Sequence, residues 1–409
     1  MVAVGKKLKQ SGWVAPRDRA AELEAEQNRK MAASAHAYVR GSTERFYQWL
    51  EDSHHTALPE GPDIWICGDC HVGNIGPLAA AEGGIAIQIR DLDQTVIGNP
   101  AHDLIRLALS LAMAARGSDL PGITTTHIIE QMIAGYELAF ESPDEHQQDE
   151  EEMPKMVRHL VREAAGRSWK HLADERIEGV EPMIPLGKRF WPLLPAERSA
   201  IEACFETETT RKLVTALRSR DDAAPVRVLD AAYWRKGCSS LGGLRFAVLA
   251  AVDTGKQERH CLIDIKQAVA AAAPHSEGAD MPADNAERVV TGARHLSPVL
   301  GQRMLAGKLL KKSVFIRELR PQDLKLEIDR LPRDEAVEMA AFLAGVVGRA
   351  HAGQLEKAER KAWLKQLQQN RTQSLEAPNW LWLSVVELVA AHEAAYLNHC
   401  RRYAMRDAA

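Results

Sequence analysis

The segment CGDCHVGN, which begins at Cys67, contains two sets of residues that could carry out chemistry. Cys67, Cys70 and His71 have the C-x-x-C-H spacing of covalent haem attachment, and two such cysteines alone are typical of redox sites or of half a zinc site. Asp69 and Asn74 instead have the D-x-x-x-x-N spacing of a phosphotransferase catalytic loop. In that chemistry the carboxylate orients a hydroxyl and accepts its proton, and the amide oxygen binds Mg²⁺.

The surrounding sequence disfavours the chemistry of the thiols. Haem attachment requires export, and the first residues contain no apolar segment of signal-peptide length. A redox pair needs a helix N-terminus to lower a thiol pKa, whereas a Gly-Asp dipeptide separates these two cysteines and a loop follows them. No second Cys or His pair at metal-ligand spacing completes a zinc site. We therefore interpret Cys67 and Cys70 as packing residues and keep a redox or haem protein as a remote alternative.

Two more acidic residues follow the next predicted strand. Asp91 and Asp93 come directly after IAIQIR, which alternates like a strand. Because Mg²⁺ prefers oxygen ligands and takes few of them from protein, these carboxylates complement Asn74. The order of the segments predicts a catalytic group of Asp69, Asn74 and Asp91, with Asn74, Asp91 and Asp93 as metal ligands. Taken singly, each acidic residue could equally end its strand in an Asx turn.

Composition limits the class of protein. A chain of 409 residues is expected to contain two or three packed units. Its net charge of −4 argues against a general nucleic-acid binder. The longest apolar run, Leu104 to Ala115, contains an arginine and is too short to span a bilayer. We expect a cytoplasmic protein without nucleic-acid or membrane partners, and the sequence leaves the oligomeric state open.

The pattern of helices and strands predicts an α+β protein in three segments. Residues 1–222 are expected to form the first part of a helical catalytic lobe. Residues 223–320 are rich in strand patterns and are expected to form a small ATP-binding lobe. Residues 321–409 are expected to supply a hinge and the remaining helices of the large lobe.

Several segments resemble a known superfamily. The sequence GDCHVGNIG, followed by IAIQIRDLDQTVIGNPAHDLIRLALSL, is similar to the catalytic half of aminoglycoside phosphotransferases and choline kinase-like enzymes. It resembles more closely the bacterial family called domain of unknown function 2252, in the protein kinase-like superfamily. Further matches are YWRKGCSSLGGLRFAVL, LIDIKQA, VFIRELRPQDLK and GVVGRAHAG. The resemblance implies a bilobed kinase-like fold that uses ATP and Mg²⁺.

The same resemblance assigns roles to residues in the catalytic half. It makes Asp69 the catalytic-loop aspartate, Asn74 a metal ligand and Asp91 the aspartate of the metal-binding motif. Asp93 is a second acidic group. Asp103 matches a buried aspartate that braces the catalytic loop through backbone N–H groups.

In the β-rich half, the resemblance implies a nucleotide site. Lys266 matches the strand lysine that neutralises phosphates, and Glu287 is the candidate for its helical partner. The predicted phosphate-covering hairpin has Ser239 where a middle glycine would stand, and it comprises Gly237, Ser239, Ser240 and Gly242.

The order of these segments is permuted relative to ordinary kinases, because the catalytic loop precedes the glycine-rich hairpin. We infer a circular permutation in which a small antiparallel β lobe is inserted between two parts of one large helical lobe. The function expected is an ATP- and Mg-dependent phosphotransferase acting on a hydroxyl of an unidentified small-molecule acceptor. The alternatives are a nucleotide-binding pseudokinase and an enzyme that transfers AMP. Arg40 and Lys30 could meet an anionic substrate if they lie near the cleft.

Overall fold

The protein has a mixed α+β fold with more helix than strand. The computed structural model describes residues 14–52, 58–80, 83–141, 153–167, 183–215, 224–238, 241–253, 258–324, 333–369, 371 and 377–407. In that part of the chain, no helix combines the length and the apolar content needed to cross a membrane.

The helices form where apolar residues recur at helical spacing. They are α1 (Arg19–Ala32), α2 (Ala35–Gly41), α3 (Thr43–Asp52), α4 (Ala101–Gly117), α5 (Gly122–Glu141), α6 (Lys155–Gly166), α7 (Pro195–Glu206), α8 (Glu208–Thr215), α9 (Asn285–Leu296), α10 (Pro298–Gly301), α11 (Arg333–Ala352), α12 (Lys357–Leu367) and α13 (Asn379–Asp407).

Within the described residues, the strands form three antiparallel sheets. The strands are β1 (Ile64–Ile66), β2 (Ile75–Ala79), β3 (Ile85–Ile89), β4 (Val96–Gly98), β5 (Phe190–Trp191), β6 (Val226–Trp234), β7 (Arg245–Asp253), β8 (Glu258–Gln267), β9 (Met304–Leu309) and β10 (Lys312–Leu319). The large sheet has the order β5-β6-β7-β8-β10-β9, and β1 pairs with β4 while β2 pairs with β3.

The large sheet is buried on both faces, which explains its nearly continuous apolar strands. On one face, Ile263 and Phe246 pack against Ile201 of α7 and Val214 of α8. The opposite face carries Lys266, because side chains alternate along β8. The face that carries Lys266 therefore lies toward the two small sheets and the segment around Asp91.

The helical part of the fold has its core around α4, α5 and α11. Most of α4 is buried, including its apolar residues from Leu104 to Ala115. Helices α5 and α11 approach closely at Gly135, where a Cβ atom would lie 2.2 Å from the carbonyl oxygen of Ala341. Glycine is required at this crossing because any side chain would meet the backbone of the neighbouring helix.

The structure confirms the mixed α+β class and several individual elements. The strand predicted in IAIQIR is β3, and the strand patterns expected in residues 223–320 form β6, β7, β8, β9 and β10. Helices α7 and α8 are separated at Thr207, whose hydroxyl donates to the Cys204 carbonyl at 2.8 Å and so ends α7.

The expected boundary at residue 223 separates elements that pack together. Strand β5 precedes this boundary and pairs with β6, through Phe190 opposite Trp234 and Trp191 opposite Tyr233. Helices α7 and α8 also precede it and cover one face of the sheet. The β-rich unit therefore draws on residues before 223, because its broad apolar face needs a helical cover.

Candidate active site

The loop that carries Asp69 and Asn74 follows β1. Its conformation depends on a glycine and on hydrogen bonds to its backbone carbonyls. Gly68 has a φ of +73°, a conformation that favours glycine. A Cβ atom at this position would lie 2.1 Å from the carbonyl oxygen of Gln94. Tyr47 donates from its hydroxyl to the Gly68 carbonyl at 2.6 Å. The Asn74 amide donates to the Asp69 carbonyl at 3.0 Å and so ties the two ends of the loop together.

Asp103 braces this loop from the first turn of α4, as predicted. Its two carboxylate oxygens accept the backbone N–H groups of Cys67 and Gly68 at 2.7 and 2.9 Å. His351 Nε2 lies 3.2 Å from the same carboxylate, and Asp103 and His351 are both fully buried. The hydroxyl of Tyr136 contacts the other ring nitrogen of His351 at 2.9 Å. A hydrogen-bonded chain therefore connects the loop to α5 and α11.

The Asp69 side chain is held by an arginine that sequence reasoning missed. Arg106 donates from Nε and Nη2 to Asp69 Oδ1 at 3.0 and 2.9 Å, and it is fully buried. Its Nη2 also donates to the Val39 carbonyl at 2.6 Å. Burial raises the pKa of the Asp69 carboxyl, while Arg106 opposes that rise. A carboxylate with a raised pKa is a better proton acceptor, and Oδ2 is the oxygen that Arg106 does not engage.

The acidic residues after β3 lie beside Lys266. Lys266 Nζ forms an ion pair with Asp93 and lies 3.6 Å from Asp91 Oδ1. Burial alone would raise the pKa of Asp91, but Lys266, Arg317 and Arg245 hold it well below its usual range. Asp91 is therefore ionised near neutral pH, and about half of its side chain is exposed.

The prediction that Glu287 pairs with Lys266 is wrong. The Glu287 side chain is exposed on α9, whereas Lys266 is buried with Asp93 and Asp91. The next residue, Arg288, points inward and donates to the carbonyls of Asp93 and Thr95. Helix α9 therefore supports the acidic turn through an arginine. Periodicity favours this arrangement because Arg288 shares its helix face with buried Val289 and Gly292.

Part of the candidate set borders one pocket of about 470 Å³ between the large sheet and the loop that carries Asp69, whereas Asp93, Lys266, Glu287 and Gly242 do not line it. Asp69, Asn74 and Asp91 line it from the loop side. Gly237 lines it from the hairpin between β6 and β7, and its carbonyl accepts from Lys30 Nζ at 2.9 Å. The structure thus brings the predicted catalytic residues and one end of the predicted hairpin to a common space.

The hairpin is described only in part. Gly237 and Gly242 both have positive φ values, of 109° and 108°, which fit a glycine-dependent turn. Ser239 and Ser240 lie outside the described residues.

The side chains near the acidic turn include oxygen atoms of the kind that Mg²⁺ prefers. Asp93 Oδ1 is buried and has no hydrogen-bond partner among the described atoms, so it is an acceptor without a donor. Together with the Asp91 carboxylate and the Asn74 amide oxygen it provides the hard oxygen ligands that Mg²⁺ prefers. No group of three or more His, Cys, Asp or Glu side chains arranged for a metal occurs in the described part of the chain. Two carboxylates and an amide suit Mg²⁺, which is commonly held by one or two carboxylates with substrate phosphates.

The comparisons with known proteins give one family match. Residues 19–402 match the family described as "Uncharacterized protein conserved in bacteria (DUF2252)". The chain belongs to this family. No curated protein and no solved structure matches the chain. The match covers the loop that carries Asp69 and Asn74, the acidic turn and the large sheet of this DUF2252 protein, so the candidate site lies within the matched region.

The site of this DUF2252 protein also depends on a buried ion cluster that the sequence did not reveal. Asp264, which is fully buried two residues before Lys266, accepts from Arg245 Nε and Nη2 at 2.9 and 2.6 Å. Arg317 Nη2 donates to the same carboxylate at 3.3 Å. Burial alone would raise the pKa of Asp264, but Arg245 and Arg317 keep it well below its usual range. The signal available in the sequence was a second charged residue in the apolar strand LIDIKQA.

The two cysteines of CGDCHVGN are packing residues by their surroundings. Both are free, and both are fully buried in the main apolar core. A hydrogen bond with Cys70, together with burial, raises the pKa of the Cys67 thiol well above its ordinary value. Because the thiolate is the reactive form, this environment opposes redox or metal chemistry.

Replacing both Cys67 and Cys70 by Ala is expected to leave Mg-ATP affinity within about threefold of the parent value, since neither thiol lines the pocket. Stability should fall by about 0.5–3 kcal/mol for each cysteine, because buried side-chain volume is lost. Isothermal titration and chemical denaturation measure these two quantities. Loss of nucleotide affinity in a folded double variant would give the thiols a functional role.

Proposed function

We propose that the protein is an ATP- and Mg-dependent phosphotransferase that acts on a hydroxyl of a small-molecule acceptor. The observation that carries the proposal is the meeting of Asp69, Asn74 and Asp91 around one pocket, with Asp91 beside the buried Lys266. Phosphoryl transfer needs a positioned hydroxyl, a proton acceptor and compensation of phosphate charge. These residues provide each of the three.

The arrangement of the large sheet supports a kinase-like, circularly permuted fold. Lys266 is on β8, the third long strand of the sheet along the chain, and the glycine-rich hairpin joins the first two. Protein kinases likewise carry the phosphate-binding lysine on their third strand, after a glycine-rich loop.

The packing of the helices supports the same permutation. Gln354, just after α11, bonds to the backbone of Trp65 in β1 at both N–H and C=O, so α11 lies beside the strand that leads into the catalytic loop. Helices α1 and α13, the first and last described, also lie together: Tyr396 donates to the Ala32 carbonyl at 3.2 Å. Adjacent first and last helices are what a permuted chain requires.

The proposed reaction uses Asp69 as the proton acceptor. An acceptor hydroxyl in the pocket gives its proton to Asp69 Oδ2 as its oxygen bonds to the γ-phosphorus of ATP. The bond from that phosphorus to the β,γ-bridging oxygen breaks, and ADP leaves with the electron pair. Arg106 holds Oδ1 throughout and so fixes the direction of the second oxygen.

Lys266 and the acidic turn act on the donor phosphates. In this proposal Asn74, Asp91 and Asp93 would hold Mg²⁺, and the ion would supply positive charge beside the donor phosphates. Lys266 holds the Asp91 carboxylate ionised and pairs with Asp93 before the nucleotide binds. Burial and the neighbouring Asp91 raise the pKa of Asp93 to about 6, although Lys266 opposes this rise. Its own positive charge then becomes available to the phosphates.

A second candidate function, nucleotide binding without transfer, is favoured by the burial of Asp69. Only 7% of Asp69 is exposed, and Arg106 pairs with it. Transfer of AMP differs only in which phosphorus the acceptor attacks, so the same pocket accommodates it. Incubation with ATP labelled at either the α- or the γ-phosphate separates the three functions. Phosphoryl transfer gives a product with the γ-label, AMP transfer gives a product with the α-label, and nucleotide binding alone gives no labelled product.

The binding part of the proposal predicts that Mg-ATP and Mg-ADP raise the thermal unfolding midpoint of the parent protein. The Lys266→Ala and Asp91→Asn variants should lose most of this shift, because each removes one charge that holds the phosphates or the metal. Differential scanning fluorimetry measures the midpoints with and without nucleotide.

Two exposed residues provide matched controls for this experiment. Lys308→Ala on β9 and Asp52→Asn at the end of α3 change the same charges away from the pocket and should keep the full shift. A parent protein that shows no shift with Mg-ATP at millimolar concentration would contradict the nucleotide site. An equal loss in the control variants would show that net charge, and not this pocket, governs binding.

A further inference from the structure

The pocket is strongly cationic. Six basic side chains line it, against the two carboxylates of Asp69 and Asp91. Burial and the neighbouring Arg40 and Arg106 lower the pKa of His71 well below its ordinary value, so this lining residue is neutral. The basic residues are Lys30, Arg40, Arg90, Lys236, Arg245 and Arg317.

Part of this positive charge is available to a ligand. Arg245 and Arg317 both form an ion pair with the one carboxylate of Asp264. Arg40 forms no ion pair with any residue that the structure describes, and its guanidinium carbon lies 3.5 Å from where a Gly73 Cβ would be. Lys30 Nζ donates to a backbone carbonyl and lies 3.6 Å from its nearest carboxylate, that of Glu26. Such a lining suits a ligand with several negative charges.

The same pocket offers little to an aromatic base. Its uncharged described lining consists of Ala33, Ala37, Cys238, Asn74 and two glycines, besides neutral His71. None of these is a Phe, Tyr, Trp or branched aliphatic side chain. Sites that recognise flat organic rings are lined mainly by apolar and aromatic groups.

The sheet face next to Lys266 is also closed to a base. On that face, the side chain next to Lys266 along β8 is that of Asp264. Arg317 on β10 lies directly opposite Asp264. The apolar area beyond, around Leu249 and Leu262, is packed against the chain's own Ile184 and Phe190.

This apolar area is completely occupied. Phe190 stacks on Trp234 with ring centroids 5.6 Å apart, and Ile184, Phe190, Leu249 and Leu262 are each at most 2% exposed. A base could enter only by displacing Phe190 and exposing this cluster, at a cost of about 25 cal/mol for each Å² of apolar surface.

We infer that the donor is recognised through its triphosphate group and that its base lies outside the pocket. This inference rests on the proposed function and makes it more specific. The ligand chemistry is a magnesium-bound triphosphate, supplied either by a nucleoside triphosphate or by inorganic tripolyphosphate. Discrimination among bases is therefore weak.

The test measures the affinity of the parent protein for Mg-ATP, Mg-GTP, Mg-UTP, Mg-tripolyphosphate and adenosine by titration calorimetry. The four triphosphates should bind with dissociation constants within about tenfold of one another, a difference of about 1.4 kcal/mol or less. Adenosine should not bind at millimolar concentration. Mg-ATP binding tighter than Mg-GTP or Mg-tripolyphosphate by more than about tenfold would overturn the inference.

The outcomes also separate this inference from the proposed function. If Mg-ATP binds and Mg-tripolyphosphate does not, the nucleotide site stands and base-independent recognition is wrong. If no triphosphate binds, both are wrong.

Removing the charge of Arg40 tests the inference with two different ligands, Mg-ATP and Mg-tripolyphosphate. Arg40→Ala should weaken Mg-ATP and Mg-tripolyphosphate by the same factor, about fivefold or more, because both present the same phosphates to the arginine. Arg401→Ala, on an exposed part of α13, is the matched control and should change neither. Weakening of Mg-ATP alone in Arg40→Ala would show that Arg40 contacts the nucleoside and would contradict the inference.

Discussion

The Asp69→Asn variant is expected to lose transfer activity by a factor of about 10²–10⁴, the usual contribution of a general base. An asparagine occupies nearly the same volume but cannot accept the hydroxyl proton. Arg106 keeps one oxygen acceptor in this variant, so the loop should remain folded. The rate is measured as release of labelled phosphoryl product from γ-labelled ATP.

The control for this result is nucleotide binding. The Asp69→Asn variant should still show the thermal shift with Mg-ATP, because Asp69 faces the acceptor and the Asp91–Lys266 pair is unchanged. A folded variant that retains its full transfer rate would remove Asp69 from the reaction. A variant that loses both binding and rate would indicate a structural role for the Asp69–Arg106 pair.

The Asp103→Ala variant is expected to be destabilised by about 2–6 kcal/mol, since two buried N–H groups lose their acceptor. These are the backbone N–H groups of Cys67 and Gly68. His351 also loses the Asp103 carboxylate that its Nε2 contacts. Denaturation by urea, followed by circular dichroism, measures the loss.

Asp103→Asn is the matched variant for this prediction. Its single carboxamide oxygen can accept one of the two N–H groups, so the loss of stability should be smaller than in Asp103→Ala. Equal stability of the parent protein and Asp103→Ala would contradict the bracing role. If Asp103→Asn is stable but slow in transfer, the brace also positions Asp69.

Local patterns predicted the loop and its acidic neighbours because short-range spacing sets both of them, whereas the family resemblance implied the role of Lys266. The strand before Asp69 and the strand before Asp91 follow from apolar alternation and turn residues. A buried lysine in an apolar strand signals a charge partner, since isolated burial is costly. The prediction of Glu287 as that partner was wrong. Asp93 pairs with Lys266 across 173 positions of sequence, a separation at which periodicity carries no information.

The residues that sequence reasoning missed are those whose contacts join parts of the chain that are far apart in sequence. Arg106 is in an apolar helix, and only the folded chain shows that its guanidinium reaches Asp69. His351 contacts Asp103 across 248 positions. Phe190, in the two-residue strand β5, packs on the apolar face of a sheet whose long strands all come after it in the chain. Each contact is a product of tertiary packing, which hydrophobic patterning restricts but does not specify.

Transfer of label from ATP tests the central claim most directly. The parent protein is incubated with Mg²⁺, a pool of small metabolites and ATP that carries the label at either the α- or the γ-phosphate. The account predicts a new product that contains the γ-label and lacks the α-label, and that disappears with Asp69→Asn. A product that carries the α-label would show AMP transfer, and no labelled product from either donor, despite binding of Mg-ATP, would contradict phosphotransferase activity.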